Sequence, residues 1–142
     1  MVKNNSLPTI ILFVYNRATH LKKTILSLKK NKQHKNYNIV IFGDGPKNKS
    51  DVLKIQKVKL EVKNIKGFKS KRTFFSLKNK GLAKSIIDGI NKVFKMKNVN
   101  SVIVLEDDLN FSKYFLDYMS KALHSYNDLK NIGSISAYSF FK

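Results

Sequence analysis

Residues 101–108 read SVIVLEDD: an apolar, largely β-branched run that passes directly into three consecutive carboxylates. A continuous apolar run of this length marks a strand buried on both faces, as in a parallel sheet covered by helices. The triplet Glu106-Asp107-Asp108 then stands at the C-terminal tip of that strand. Two upstream segments follow the same pattern. Thr9 to Tyr15 (TIILFVY) ends in Asn16-Arg17, and Tyr37 to Phe42 (YNIVIF) stops at Gly43-Asp44-Gly45-Pro46, a strong turn signal. A shorter strand from Arg72 to Leu77 leads into Asn79-Lys80-Gly81.

Amphipathic stretches separate these strands. Thr19 is placed to cap a helix in which Leu21, Ile25 and Leu28 share one face, while Lys22, Lys23, Lys29 and Lys30 face water. Ser50 or Asp51 caps a second helix, whose end is ambiguous because residues 58–62 alternate as a strand would. A third helix carries Ile86, Ile90, Val93 and Phe94 on its apolar stripe. A fourth, capped by Ser112, turns Phe115, Met119, Ala122 and Leu123 inward, and Ile132 to Tyr138 predicts one more strand. Strands alternating with helices imply an α/β, Rossmann-like fold with a mainly parallel sheet flanked by helices. Ligands of such sheets bind beyond the C-terminal strand ends, where all four polar clusters fall. No repeat, linker or composition shift divides the chain, so residues 1–142 are expected to form a single domain.

Composition excludes several classes. Hydrophobic residues make up 42% of the 142, enough for a core, and aromatic and branched residues are patterned throughout, unlike a disordered basic tail. The absence of cysteine excludes a disulfide framework and a thiolate metal site, and fits a reducing, cytoplasmic setting. The apolar run at Thr9–Tyr15 is too short to span a bilayer, and the Asn16-Arg17 that follows is no signal-peptidase site. The net charge of +19 favours anionic partners. Yet Arg17 and Arg72 are the only arginines, and nucleic-acid readers rely on arginine forks. No specific nucleic-acid partner is therefore expected, whereas peripheral contact with an anionic membrane at its inner face is compatible with the lysines.

The acidic triplet is the sharpest chemical feature, holding three of only nine acids in the chain. Adjacent carboxylates repel and need a compensating cation. A hard divalent ion, Mn2+ or Mg2+, would serve and could also hold a diphosphate; neighbouring lysines or simple solvation of the strand end are the alternatives. Asp44 is placed to accept from a nucleobase or ribose, or else to bond its own turn. Arg17 suits a diphosphate, or a plain helix start. The Asn79-Lys80-Gly81 turn at a helix N-terminus is a common anion site, though such turns are frequent. His20, His34 and His124 show no ligand spacing and read as structural. There is no Ser-His-Asp arrangement, no GxGxxG and no P-loop.

In their order, TIILFVYNR, IVIFGDGP, NKGLAKSIIDGI and VIVLEDDLNFSKYFLDYM resemble the GT-A glycosyltransferases that use nucleotide-diphospho-sugar donors. NKGLAKS is similar to family-2 members, and VLEDDL followed by IGSISAYS is similar to the N-acetylglucosaminyltransferase I group. The resemblance runs from about Pro8 to Tyr138. It implies metal-dependent hexosyl or N-acetylhexosaminyl transfer from a donor, a UDP-sugar, to a glycan or lipid-linked acceptor. Asp108 would be the metal ligand, Asp107 would approach the ribose and Glu106 the donor sugar. Asp44 would hold the base and Arg17 the base or diphosphate, with Lys80 and Lys84 as further nucleotide contacts. The family's general base lies after the strand corresponding to ISAYS, so the resemblance implies a truncated, donor-binding part with its catalytic base beyond Lys142; Asp117 and Asp128 read as surface groups. The competing class is a basic binding module for nucleic acid or anionic glycan without catalysis. A sugar nucleotidyltransferase is disfavoured because FVYNRATHLKK lacks a Gly-rich signature after the first strand.

Overall fold

The computed structural model describes residues 6–137. Four strands, β1 (Thr9–Val14), β2 (Asn38–Gly43), β3 (Ser70–Phe75) and β4 (Val102–Glu106), alternate with α1 (Ala18–Lys29), α2 (Lys49–Asn64) and α3 (Leu82–Phe94); α4 (Phe115–Tyr126) follows β4. A 3-10 turn, Lys32–Asn36, which the sequence pattern did not suggest, links α1 to β2. All pairings are parallel and the order is β3-β2-β1-β4. The α/β, Rossmann-like architecture is as expected.

Side chains on the two faces of the sheet build two cores. Ile10, Leu12, Ile39, Ile41, Ile103 and Leu105 pack against Leu21, Ile25 and Leu28 of α1, Val58 and Val62 of α2 and Leu116 of α4. On the other face Ile11, Phe13 and Val40 meet Val93 of α3. Ile10, Ile11, Leu12, Ile39 and Ile41 are fully enclosed, each worth about 1.5–3 kcal/mol of burial. Helices α1 and α2 thus share one face while α3 carries the chain from the β3 edge back to β4. The strand order reverses between β1 and β4, which opens a crevice at their C-terminal ends.

Several local expectations are corrected. Thr19 lies inside α1, and Arg17 occupies its N-cap position, its carbonyl accepting from the Leu21 N–H at 3.0 Å but its side chain making no capping bond. Asn48, not Ser50 or Asp51, caps α2: its Oδ1 accepts from the Asp51 N–H at 3.2 Å. Residues 58–62 are wholly helical, because Val58 and Val62 are a buried i,i+4 pair whereas Leu60, which completes the apparent alternation, points to water. β3 begins two residues earlier than predicted. Phe94 and Ser112 depart as well: Phe94 is exposed, and α4 starts after Tyr114 with Leu116 as its only fully buried residue. β4 is an edge strand among the described residues, with Val104 40% exposed, so it is covered on one face more than the other. Residues 132–137 form no strand, and Tyr138 lies outside the described residues.

Candidate active site

The C-terminal tips of β1, β2 and β4 surround a cleft of about 510 Å³ lined by Arg17, Asp44, Glu106 and Asp107, with Phe13 and Phe42 among its apolar walls. A larger groove of about 810 Å³ runs along β4 and α4, but no charged side chain lines it. Ionic chemistry belongs to the smaller cleft.

Arg17 bridges the acidic motif. Its Nη2 donates to Asp107 Oδ1 at 2.6 Å and its Nη1 to Asp108 Oδ2 at 3.0 Å. The second oxygen of Asp107 accepts from the Tyr15 backbone N–H at 3.2 Å, so this buried carboxylate is held on both sides by the end of β1. Burial works to lower the Arg17 pKa, but the Asp107 and Asp108 charges outweigh it and hold the guanidinium above its ordinary value. The cation that the triplet requires is therefore supplied in this structure by arginine rather than lysine. Asp108 is the more open of the paired carboxylates, with a side chain 39% exposed, and Glu106 lines the cleft on the strand itself.

The backbone after the triplet is fastened by three buried polar side chains, Thr24 and Ser27 of α1 and Asn31 just beyond its end. Thr24 Oγ1 lies 2.9 Å from both the Asp107 and Leu109 carbonyls. Ser27 Oγ accepts from Phe111 N–H at 3.0 Å and donates to Thr24 O at 2.9 Å. Asn31 donates to Ser112 O at 3.1 Å and accepts from Leu116 N–H at 2.9 Å. The i, i+3 spacing places Thr24 and Ser27 on one flank of the helix, and Asn31 follows where the chain leaves it. The acidic loop is consequently positioned by α1 rather than by its own sequence.

Asp44 is buried at the tip of β2. Its oxygens accept from the N–H groups of Gly45 at 2.8 Å, Lys80 at 2.9 and 3.1 Å, and Gly81 at 2.9 Å. The turn expected to bind an external anion thus already holds an internal one. A Cβ on Gly45 would come within 2.4 Å of the Lys78 carbonyl carbon, and Gly81 has φ +80 where it opens α3. Glycine at these two points lets the β2 and β3–α3 turns meet. The Lys80 N–H is shared between the two oxygens, so each of them accepts two contacts. Lys80 Nζ pairs with Asp88 at 2.9 Å, and Lys84 is exposed near the same carboxylate; neither side chain is brought to the cleft.

Asp51, read from sequence only as a cap, is the hub of the opposite wall. It accepts from Tyr15 Oη at 2.7 Å, Asn16 Nδ2 at 2.8 Å and Lys47 N–H at 3.2 Å. These bonds from Tyr15 and Asn16 hold its pKa below the ordinary value, while burial and the Asp51 contact push the Tyr15 phenol up. Its rarity in a lysine-rich chain was the available signal. His34 sits against Asn31 O and Phe68, a structural role as expected. Asp117 pairs with Lys121 on α4, and Asp128 is exposed.

No group of three or more Asp, Glu or His side chains could enclose a metal among the described residues. The donor set still suits a hard ion bound chiefly by substrate: Mg2+ is commonly held by one or two carboxylates plus phosphates, and Asp108 offers an accessible carboxylate next to Arg17, which lines the cleft.

Across residues 9–140, the chain matches the family model described as glycosyl transferase family 2. No curated protein sequence matches it.

Proposed function

The chain belongs to glycosyl transferase family 2, and we propose that its cleft binds a nucleoside-diphosphate sugar, a UDP-sugar, for metal-assisted transfer to a glycan or lipid-linked acceptor. Membership itself makes it a glycosyltransferase with a nucleotide-sugar donor and an acceptor. The observation that carries the finer reading is the Arg17 fork on Asp107 and Asp108, at the switch point of the sheet and beside the cleft.

In this proposal the base lies against the β2 tip, where Asp44, which lines the cleft, takes a base N–H in place of part of its shared bond from Lys80. Asp107, already fixed by Tyr15 and Arg17, takes a ribose hydroxyl, and Glu106 a hydroxyl of the donor sugar. Arg17 is within reach of the diphosphate because it lines the cleft beside Asp107, and a guanidinium fork matches phosphate oxygens. Asp108 would hold Mn2+ or Mg2+, which supplies charge neutralisation for the departing nucleoside diphosphate. The side chains of Lys80, paired with Asp88, and of Lys84, exposed near the same carboxylate, take no part.

Calorimetry with UDP-sugars tests this. Binding is expected only with Mn2+ or Mg2+ present, and Asp108→Asn should weaken the metal-dependent component by at least roughly tenfold. At a hundredfold excess over Kd the ligand pair should stabilise the fold by about 2.7 kcal/mol. UDP-sugars that bind equally well in chelator and in metal, or an Asp108→Asn protein that binds as the parent does, would defeat the assignment.

A further inference from the structure

Amphipathic helices place their most polar residues opposite the buried stripe. On α1 and α2 the positions pointing most directly away from the sheet are leucines. The buried residues of α1 are Leu21, Thr24, Ile25, Ser27 and Leu28, and at about 3.6 residues per turn the position opposite them is Leu26. The buried residues of α2 are Asp51, Ile55, Val58 and Val62, and the positions opposite are Leu53 and Leu60, one heptad apart. These three are 57%, 69% and 63% exposed. Both helices pack on the same face of the sheet and against each other, so their outer sides form one surface.

Lysines surround the leucines. Lys22, Lys23, Lys29 and Lys30 flank Leu26, and Lys49, Lys57 and Lys63 flank Leu53 and Leu60. α1 has no acidic residue; of the two in α2, Asp51 is buried and Glu61 is half-buried. We propose that the outer face of α1 and α2 docks on an anionic phospholipid surface, the leucines entering the headgroup region and the lysines pairing with lipid phosphates. An apolar centre within a cationic ring is the composition of an interfacial anchor, and long lysine stems let the ammonium reach the phosphates while the leucines insert. A polyanion such as RNA would use the lysines but gain nothing from three outward leucines. No helix among the described residues is long and apolar enough to cross a membrane, so the contact is peripheral.

Sedimentation with vesicles tests the surface without any donor, and so stands or falls separately from the sugar-nucleotide site. Phosphatidylcholine vesicles and vesicles mixed with phosphatidylglycerol are compared for the full chain, for Leu26→Ser/Leu53→Ser/Leu60→Ser and for Lys22→Gln/Lys30→Gln/Lys57→Gln. Binding is expected to the anionic vesicles alone. It should fall roughly a hundredfold in the leucine variant if about half of each side chain leaves water, and about fivefold per lysine removed. Circular dichroism of the variants, all altered at solvent-facing positions, confirms that they remain folded. Binding unchanged by loss of the leucines would overturn the proposal, as would an RNA oligonucleotide that the leucine variant still binds while neither protein sediments with vesicles.

Discussion

Individual side chains in this molecule carry more than their sequence context announces, and Asp51 is the clearest case. Three donors from the β1 tip and the loop before α2 converge on it, and the hydrogen bonds from Tyr15 and Asn16 keep its pKa below the ordinary 3.8. A carboxylate depressed in the folded state contributes stability that is complete above its unfolded pKa and disappears as pH falls through the folded one. The melting temperature should therefore drop on acidification below about pH 4. Asp51→Asn should melt lower at neutral pH and lose less over the acid limb, as followed by circular dichroism from neutral pH downward. A parallel acid limb in parent and variant would assign that limb to other carboxylates. Tyr15 runs in the opposite sense: its raised pKa gives stability below its unfolded value that is lost as pH rises through the folded one.

At the scale of elements, α1 does two jobs with one stretch of sequence. Its apolar stripe enters the core, and the adjoining Thr24, Ser27 and Asn31 hold the backbone from residue 107 to 116. Thr24→Val keeps the shape but leaves the Asp107 and Leu109 carbonyls without their donor, a cost of about 1–3 kcal/mol measurable by urea unfolding. If that loop carries the metal-binding carboxylate, the same change should weaken metal-dependent UDP-sugar binding while leaving far-UV circular dichroism intact. Equal affinity in parent and variant would show that the loop is held well enough without it. β1, β2 and β4 were legible because each is a continuous apolar run, and the helices because their apolar stripes repeat, whereas the charged start of β3 hid its first two residues. Residues 58–62 misled because Leu60 completes a period-two pattern from outside the core, and Ile132–Tyr138 because an apolar run has no pairing partner written into it. In the site, Arg17, Asp44 and the triplet were visible as polar residues at strand ends. The pairing of Arg17 with Asp107 and Asp108, the internal use of Asp44, and the hub at Asp51 were not, since each depends on residues 35 to 91 positions apart.

For the molecule as a whole, the two sheet edges are treated differently. β3 opens with Ser70, Lys71 and Arg72, and Lys71 reaches across to the end of α2, donating to the carbonyls of Val62, Lys63 and Ile65 at 2.8 to 3.0 Å. A charged edge strand resists pairing with other chains, and here the same lysine satisfies a helix terminus. Its burial, with Lys66 and Lys29 nearby, pushes its pKa below the ordinary value. Among the described residues no lysine guards β4 in this way, and the uncharged groove beside it contrasts with a surface on which lysine dominates elsewhere.

The strand order also dictates a timetable. Ile10 finds Ile39, and Asn38 finds Ser70, by closing short loops, but Thr9 must wait for Val102. Closing that longer span costs more chain entropy, so β1, β2 and β3 should assemble before β4 docks. Pulse-labelled hydrogen exchange during refolding should then protect the amides of residues 10, 12 and 14, which face β2, and 39–43 ahead of those of 11, 13, 103 and 105, which join β1 to β4; simultaneous protection would refute the sequence of events. On this schedule a nascent molecule spends its first moments as a cationic three-stranded intermediate, and only the last strand to arrive brings the carboxylates that Arg17 has been waiting to meet.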